Sequence, residues 1–78
     1  MPRIVPIDYR KLIQIFEKEG FTVSRSKGDH ISMTKPGVKR PVVIKTSPRN
    51  VPTAHIRTNL TTAGITRERY FELFEEVK

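Results

Sequence analysis

The two histidines are the side chains of this sequence best suited to move protons near neutral pH, because imidazole titrates there. His30 directly follows Gly28 and Asp29, and a glycine at that position is typical of a tight turn between two strands. We therefore expect the imidazole of His30 to be open to solvent at the tip of a hairpin. His55 stands one residue before the apolar Ile56, which favours a partly exposed histidine on a helix surface. A second acid/base group or a phosphate contact is the alternative for His55.

Positive charge is concentrated around His30. The chain has 15 Lys and Arg against 8 Asp and Glu, a net charge of +7 and a pI near 10.3. Residues 51–78 are neutral, whereas one stretch around His30 holds seven basic side chains and Asp29 as its single acidic one. These basic residues are Arg25, Lys27, Lys35, Lys39, Arg40, Lys45 and Arg49. The concentration predicts an acidic partner, nucleic acid above all; a basic surface for solubility or for an acidic protein is the alternative.

A histidine among cations is chemically sufficient to cut RNA. The 2′-hydroxyl of RNA is a built-in nucleophile, so a base that deprotonates it and a cation near the phosphorus suffice without a metal ion. We predict that His30 is this acid/base. Asp29 is adjacent to it, and since neighbouring strand residues point to opposite faces, we expect its carboxylate to end the turn; orienting the imidazole is the alternative. The residues that we predict to bind RNA are Arg25, Lys27, Lys39, Arg40 and Lys45.

Length and composition exclude several classes of protein. At 78 residues we expect one small domain over residues 1–78. Without cysteine the chain has no disulfide and no thiolate metal site, and two histidines alone do not complete a tetrahedral zinc site. Its apolar runs are far shorter than the roughly 20 residues that span a bilayer. We therefore expect a cytoplasmic domain without a cofactor, a metal ion or a membrane contact.

Turn and cap residues divide the chain into six predicted elements. Asp8 suits the N-cap of a first helix and Gly20 its end, while Thr53 and Thr66 suit the N-caps of two later helices. Alternating apolar and polar residues predict three strands between the first and second helices. The predicted helices cover about 9–19, 54–63 and 67–77, and the predicted strands about 21–26, 30–35 and 41–45. This order, α-β-β-β-α-α, predicts a two-layer α+β domain with a three-stranded antiparallel sheet and its helices on one face.

The alternation also predicts which strand residues share a face. The apolar set that we expect to face the helices is Phe21, Val23, Ile31, Met33, Val42 and Ile44. The opposite face would then carry Thr22, Ser24, Ser26, His30, Ser32, Thr34, Val43 and Lys45. It is polar and rich in hydroxyl groups, and it places His30 and Lys45 together.

A set of short motifs in one order resembles a known family over roughly residues 3–76. The motifs are Gly20-Phe21, Gly28-Asp29-His30, Thr34-Lys35-Pro36-Gly37, Arg40-Pro41, Val43-Ile44 and Ala63-Gly64-Ile65-Thr66. Each is weak alone, but the ordered set is similar to the HicA-type toxins of toxin–antitoxin pairs. The resemblance implies a fold like the double-stranded-RNA-binding domain and a metal-independent endoribonuclease that cleaves mRNA. It also implies a catalytic histidine at His30 and a HicB-type antitoxin that binds the toxin and masks this site.

Two other functions are compatible with the same residues. A non-catalytic module for double-stranded RNA would use the same fold and the same basic surface, reading the shape of the duplex. A basic protein-interaction subunit would instead bind an acidic protein. RNA cleavage by wild-type protein but not by a His30→Ala variant would distinguish the toxin from both.

Overall fold

The computed structural model describes residues 3–77, so positions 1, 2 and 78 of the predicted domain lie outside its described part. Its elements in chain order are β1 (Ile7–Asp8), α1 (Tyr9–Lys18), β2 (Thr22–Lys27), β3 (His30–Thr34), β4 (Val42–Lys45), β5 (Asn50–Val51), α2 (Thr53–Ala63) and α3 (Arg67–Glu76).

The main sheet has three antiparallel strands in the order β2-β3-β4. Helices α1 and α2 both contact β4, and α1 also contacts α3. Along β4, Val42 and Ile44 are fully buried whereas Val43 and Lys45 are exposed, so the helices cover one face of this strand and leave the other open. The predicted α+β class is confirmed, and the arrangement is compatible with the double-stranded-RNA-binding fold.

A second, two-stranded sheet joins the start of the chain to the segment before α2. Ile7 of β1 lies opposite Val51 of β5, and both side chains are buried. The sequence pattern did not predict this pair, because a strand of two residues is too short to show any alternation. The pairing fixes the N-terminal segment beside α2.

Local capping chemistry sets most helix ends. Asp8 accepts a hydrogen bond from the backbone N–H of Arg10 at 2.9 Å, and Thr66 accepts one from that of Arg69 at 3.1 Å, as predicted for these N-caps. Gly20 has a φ of +99°, the left-handed conformation that ends α1. The prediction for Thr53 is wrong: the N-cap of α2 is Pro52, and Thr53 is the first residue of the helix.

The core lies between the main sheet and the helices. Phe16 and Phe21 meet edge to face at its centre, with ring centroids 5.4 Å apart. The buried apolar residues are Ile7, Leu12, Ile15, Phe16, Phe21, Met33, Val42, Ile44, Val51, Ile56, Leu60, Ile65, Tyr70 and Leu73. None of them belongs to β2, so this edge strand extends beyond the cover of the helices.

The register of β2 corrects the predicted faces of that strand. Val23 lies opposite the buried Met33, but its side chain is 47% exposed because β2 is at the edge. A bulge between Val23 and Arg25 then shifts the pairing, so that Ser26 lies opposite Ile31. Directly opposed residues share a face, so Ser26 points to the helical side and its predicted place on the open face is wrong.

Candidate nucleic-acid interface and its histidine

A two-residue turn between β2 and β3 positions His30. Gly28 has a φ of +58° and Asp29 does not have a positive φ, the pattern of a type II′ hairpin turn. A side chain at Gly28 would meet no atom within 4 Å, so the conformation of the backbone, not space, requires glycine here. The backbone N–H of Thr46 donates to the carbonyl of Asp29 at 2.8 Å, which attaches the turn to the end of β4.

Three residues form one row across the sheet at its end near the turn. His30 on the central strand lies opposite Lys27 of β2 and opposite Lys45 of β4. Opposed Cα atoms in antiparallel strands are about 4.5–5.5 Å apart and their side chains share a face. The imidazole therefore has a lysine on each side, and all three side chains lie on the exposed face of the sheet. We refer to these three residues as the basic row.

The bulge in β2 adds an arginine to the same face. Beyond the bulge, Arg25 lies opposite Ser32, and Ser32 lies opposite Val43. This second row is two residues from the first along each strand, so its side chains point to the same side as His30. Regular alternation from Val23 would have turned Arg25 and Lys27 toward the helical side; the bulge reverses this.

Asp29 contacts the imidazole directly. Its Oδ1 is 2.9 Å from Nδ1 of His30, and both side chains are 50% exposed. The expected role of this carboxylate was to end the turn, on the argument that neighbouring strand residues point to opposite faces. That argument fails here, because Asp29 lies in the turn, where the alternation of a strand does not apply. A carboxylate accepts hydrogen bonds, so its position beside Nδ1 favours a neutral ring with the proton on that nitrogen. In the neutral ring Nε2 is then the free acceptor, the position from which a base removes a proton.

Lys39 and Arg40 lie at the other end of the sheet. They belong to the connection that leaves β3 after Thr34 and enters β4 at Val42, whereas His30 begins β3. The two ends of β3 are four residue steps apart, a distance of about 14 Å. Both side chains are exposed. The structure therefore brings Arg25, Lys27 and Lys45 near His30 and leaves Lys39 and Arg40 apart from it.

His55 is exposed near the start of α2, on the layer of helices. In the part of the chain that the structure describes, no three His, Asp or Glu side chains come together as a metal site. No helix among residues 3–77 is long and apolar enough to cross a membrane.

The sequence of this chain matches a known protein family over most of its length. The model of a family described as HicA toxin of bacterial toxin–antitoxin matches residues 9–65, a span that includes α1, the whole main sheet and α2. The chain belongs to the HicA toxin family. No curated protein matches the chain closely enough to add a nearer relative. Membership makes this HicA protein the toxin of a toxin–antitoxin pair and implies a cognate antitoxin as its partner.

Proposed function

We propose that this HicA toxin is a metal-independent endoribonuclease that cleaves mRNA in the cytoplasm, with His30 as its catalytic acid/base. The observation that carries the proposal is the basic row, in which a solvent-accessible imidazole lies between Lys27 and Lys45 on an open sheet face. Family membership supports it, because HicA toxins in general act on mRNA.

In the proposed reaction Nε2 of His30 removes the proton of a 2′-hydroxyl group. The 2′-oxygen then forms a bond to the adjacent phosphorus, the bond from phosphorus to the 5′-oxygen breaks, and that oxygen takes up a proton from water. The hydroxide left from this water takes the proton held by His30, which restores the neutral imidazole. The products are a 2′,3′-cyclic phosphate and a free 5′-hydroxyl. Negative charge grows on the phosphoryl oxygens during this step, and Lys27 and Lys45 stabilise it electrostatically.

Asp29 acts as a positioning residue in this proposal. By accepting from Nδ1 it keeps Nε2 unprotonated and free to act as the base, and it stabilises the imidazolium after proton transfer. The carboxylate is on the Nδ1 side of the ring, so it stays away from the phosphate approached by Nε2.

The other cations would bind the strand on either side of the cleaved bond. Arg25 extends the basic row by one step along β2, and Lys39 and Arg40 would contact a phosphate about 14 Å further along the sheet. A HicB-type antitoxin that covers this open face would block RNA and silence the toxin.

The test incubates purified, antitoxin-free protein with mRNA in EDTA and compares wild type with His30→Ala and His55→Ala. His55 is a matched control, since it is an exposed histidine on the other layer of the same fold. We expect fragments from wild type and His55→Ala only. Cleavage by His30→Ala would remove His30 from the mechanism, and salt-sensitive binding without fragments from any variant would indicate a non-catalytic RNA-binding module.

A further inference from the structure

A groove on the helical layer carries arginines that the proposed RNA reaction does not use. It lies between the N-terminal segment 3–6, helix α2 and the start of α3, and consists of two adjoining cavities of about 450 and 300 Å³. Ile4, Arg57 and Arg67 line both cavities, and Arg3 lines the larger one. We call this feature the arginine groove.

The charged residues that line the groove are all basic. None of its described lining residues is Asp or Glu. Elsewhere on the helices, arginines have carboxylate partners: Arg10 is 2.8 Å from Asp8, and Arg69 is 3.0 Å from Glu19. Within residues 3–77, Arg3 and Arg57 form no such ion pair. Like charges that converge on one cavity repel each other, and an anionic partner relieves this repulsion.

The walls between the arginines are apolar. Val5 is 51% exposed, which makes it the most exposed large apolar residue among those described. Val5 lines the larger cavity, Ile65 lines the smaller one, and Ile4 lines both. The guanidinium of Arg67 lies over the ring of Phe71 at 5.5 Å, which holds this arginine at the rim. An apolar floor with an arginine rim is typical of protein interfaces.

The same walls argue against RNA as the occupant. Proteins that hold single-stranded nucleic acid stack its bases on exposed aromatic rings, and the described lining of the groove includes none. A peptide with an apolar side chain between carboxylates matches both the floor and the rim.

We propose that the arginine groove binds an acidic segment of a partner protein, whose carboxylates pair with Arg3 and Arg57 and whose apolar side chain packs on Val5 and Ile4. The groove and the basic row are on different layers of the fold, so this binding is independent of the proposed nuclease activity. A partner bound here has a second contact with the toxin that RNA does not compete for.

The test uses the full-length protein and three short synthetic peptides. The first is rich in glutamate and carries a few leucines; in the second the leucines are replaced by serine, and in the third the glutamates by glutamine. Amide chemical shifts map where each peptide binds, and titration calorimetry measures the affinity. We expect the first peptide to shift residues 3–6, 53–57 and 60–67, and both control peptides to bind more weakly.

Charge-reversal variants give the decisive comparison. Arg57→Glu should lower the affinity for the first peptide by about tenfold or more, which is the effect of removing an arginine from the centre of an interface. Lys18→Glu is the matched control, because it makes the same change of charge at an exposed position outside the groove. Equal losses in both variants, shifts confined to the open sheet face, or no binding would overturn the proposal. If an RNA oligonucleotide shifts the amide signals of the groove residues, the occupant of the groove is RNA and not a peptide. If these signals shift with protein concentration alone, the occupant is a second copy of the chain.

Discussion

Replacement of Asp29 by alanine should slow RNA cleavage only a few fold, although this carboxylate contacts the proposed catalytic ring. The Asp29–His30 pair is half-exposed, and exposed pairs of this kind contribute about 0.2–1 kcal/mol. If the whole contribution is removed from the transition state, the rate falls by a factor of about 1.4–5. Removal of the acid/base itself costs about 10²- to 10⁴-fold, so His30→Ala must be far more severe.

Single-turnover cleavage of one RNA oligonucleotide separates these two effects. Asp29→Asn is the matched control, since its amide oxygen still accepts from Nδ1 without the charge, and we expect its effect to be the smaller one. The turn should survive both changes, because it is the backbone carbonyl of Asp29 that bonds to Thr46. Ring-nitrogen NMR of His30 should show protonation move from Nδ1 towards Nε2 in Asp29→Ala. A decrease in rate as large as that of His30→Ala, or an unchanged proton position, would refute the positioning role.

Three further predictions concern binding and stability. Lys45→Gln should lower the slope of log K against log salt concentration for RNA binding by about 0.7, because the variant binds one phosphate fewer. The binding is measured with 2′-O-methyl RNA, and an unchanged slope would show that Lys45 binds no phosphate. Hydrogen bonds from Arg10 lower the pKa of Asp8 to about 2, so its ionised form stabilises the fold above its unfolded pKa of about 3.9 and loses this effect as the pH falls towards 2. Asp8→Asn should accordingly melt below wild type at pH 6, and the difference should shrink steadily between pH 4 and pH 2; a constant difference would contradict this. Thr66→Ala should lower the free energy of unfolding by about 1 kcal/mol through removal of the α3 cap, and denaturant unfolding with no change would show that the cap is not needed.

Features set by neighbours along the chain were predictable from sequence. The cap at Asp8 and the stop at Gly20 depend on a few residues each, and the strand order followed from alternation and turns. Three features depended on information that local patterns lack. The first is the bulge after Val23, which turns the later residues of β2 to the opposite face of the sheet. A prediction from alternating residues misses it, because such a prediction assumes that no extra residue is inserted in the strand.

The other two are the contact of Asp29 and the arginine groove. Asp29 reaches its neighbour because a turn, unlike a strand, lets adjacent side chains converge. Arg3 and Arg57 are far apart in sequence and meet only because the β1–β5 pairing places the N-terminal segment beside α2. The sequence Gly-Asp-His at a turn was the available signal for the contact of Asp29. No local sequence pattern indicated the arginine groove.

The most direct test of the proposed mechanism compares one RNA oligonucleotide with its 2′-O-methyl counterpart, in EDTA, with wild type and His30→Ala. If the 2′-hydroxyl is the nucleophile and His30 the base, only the wild-type protein cuts, and it cuts only the unmodified RNA. The product then ends in a 2′,3′-cyclic phosphate. Cleavage of the methylated strand, or equal cleavage by His30→Ala, would contradict the mechanism.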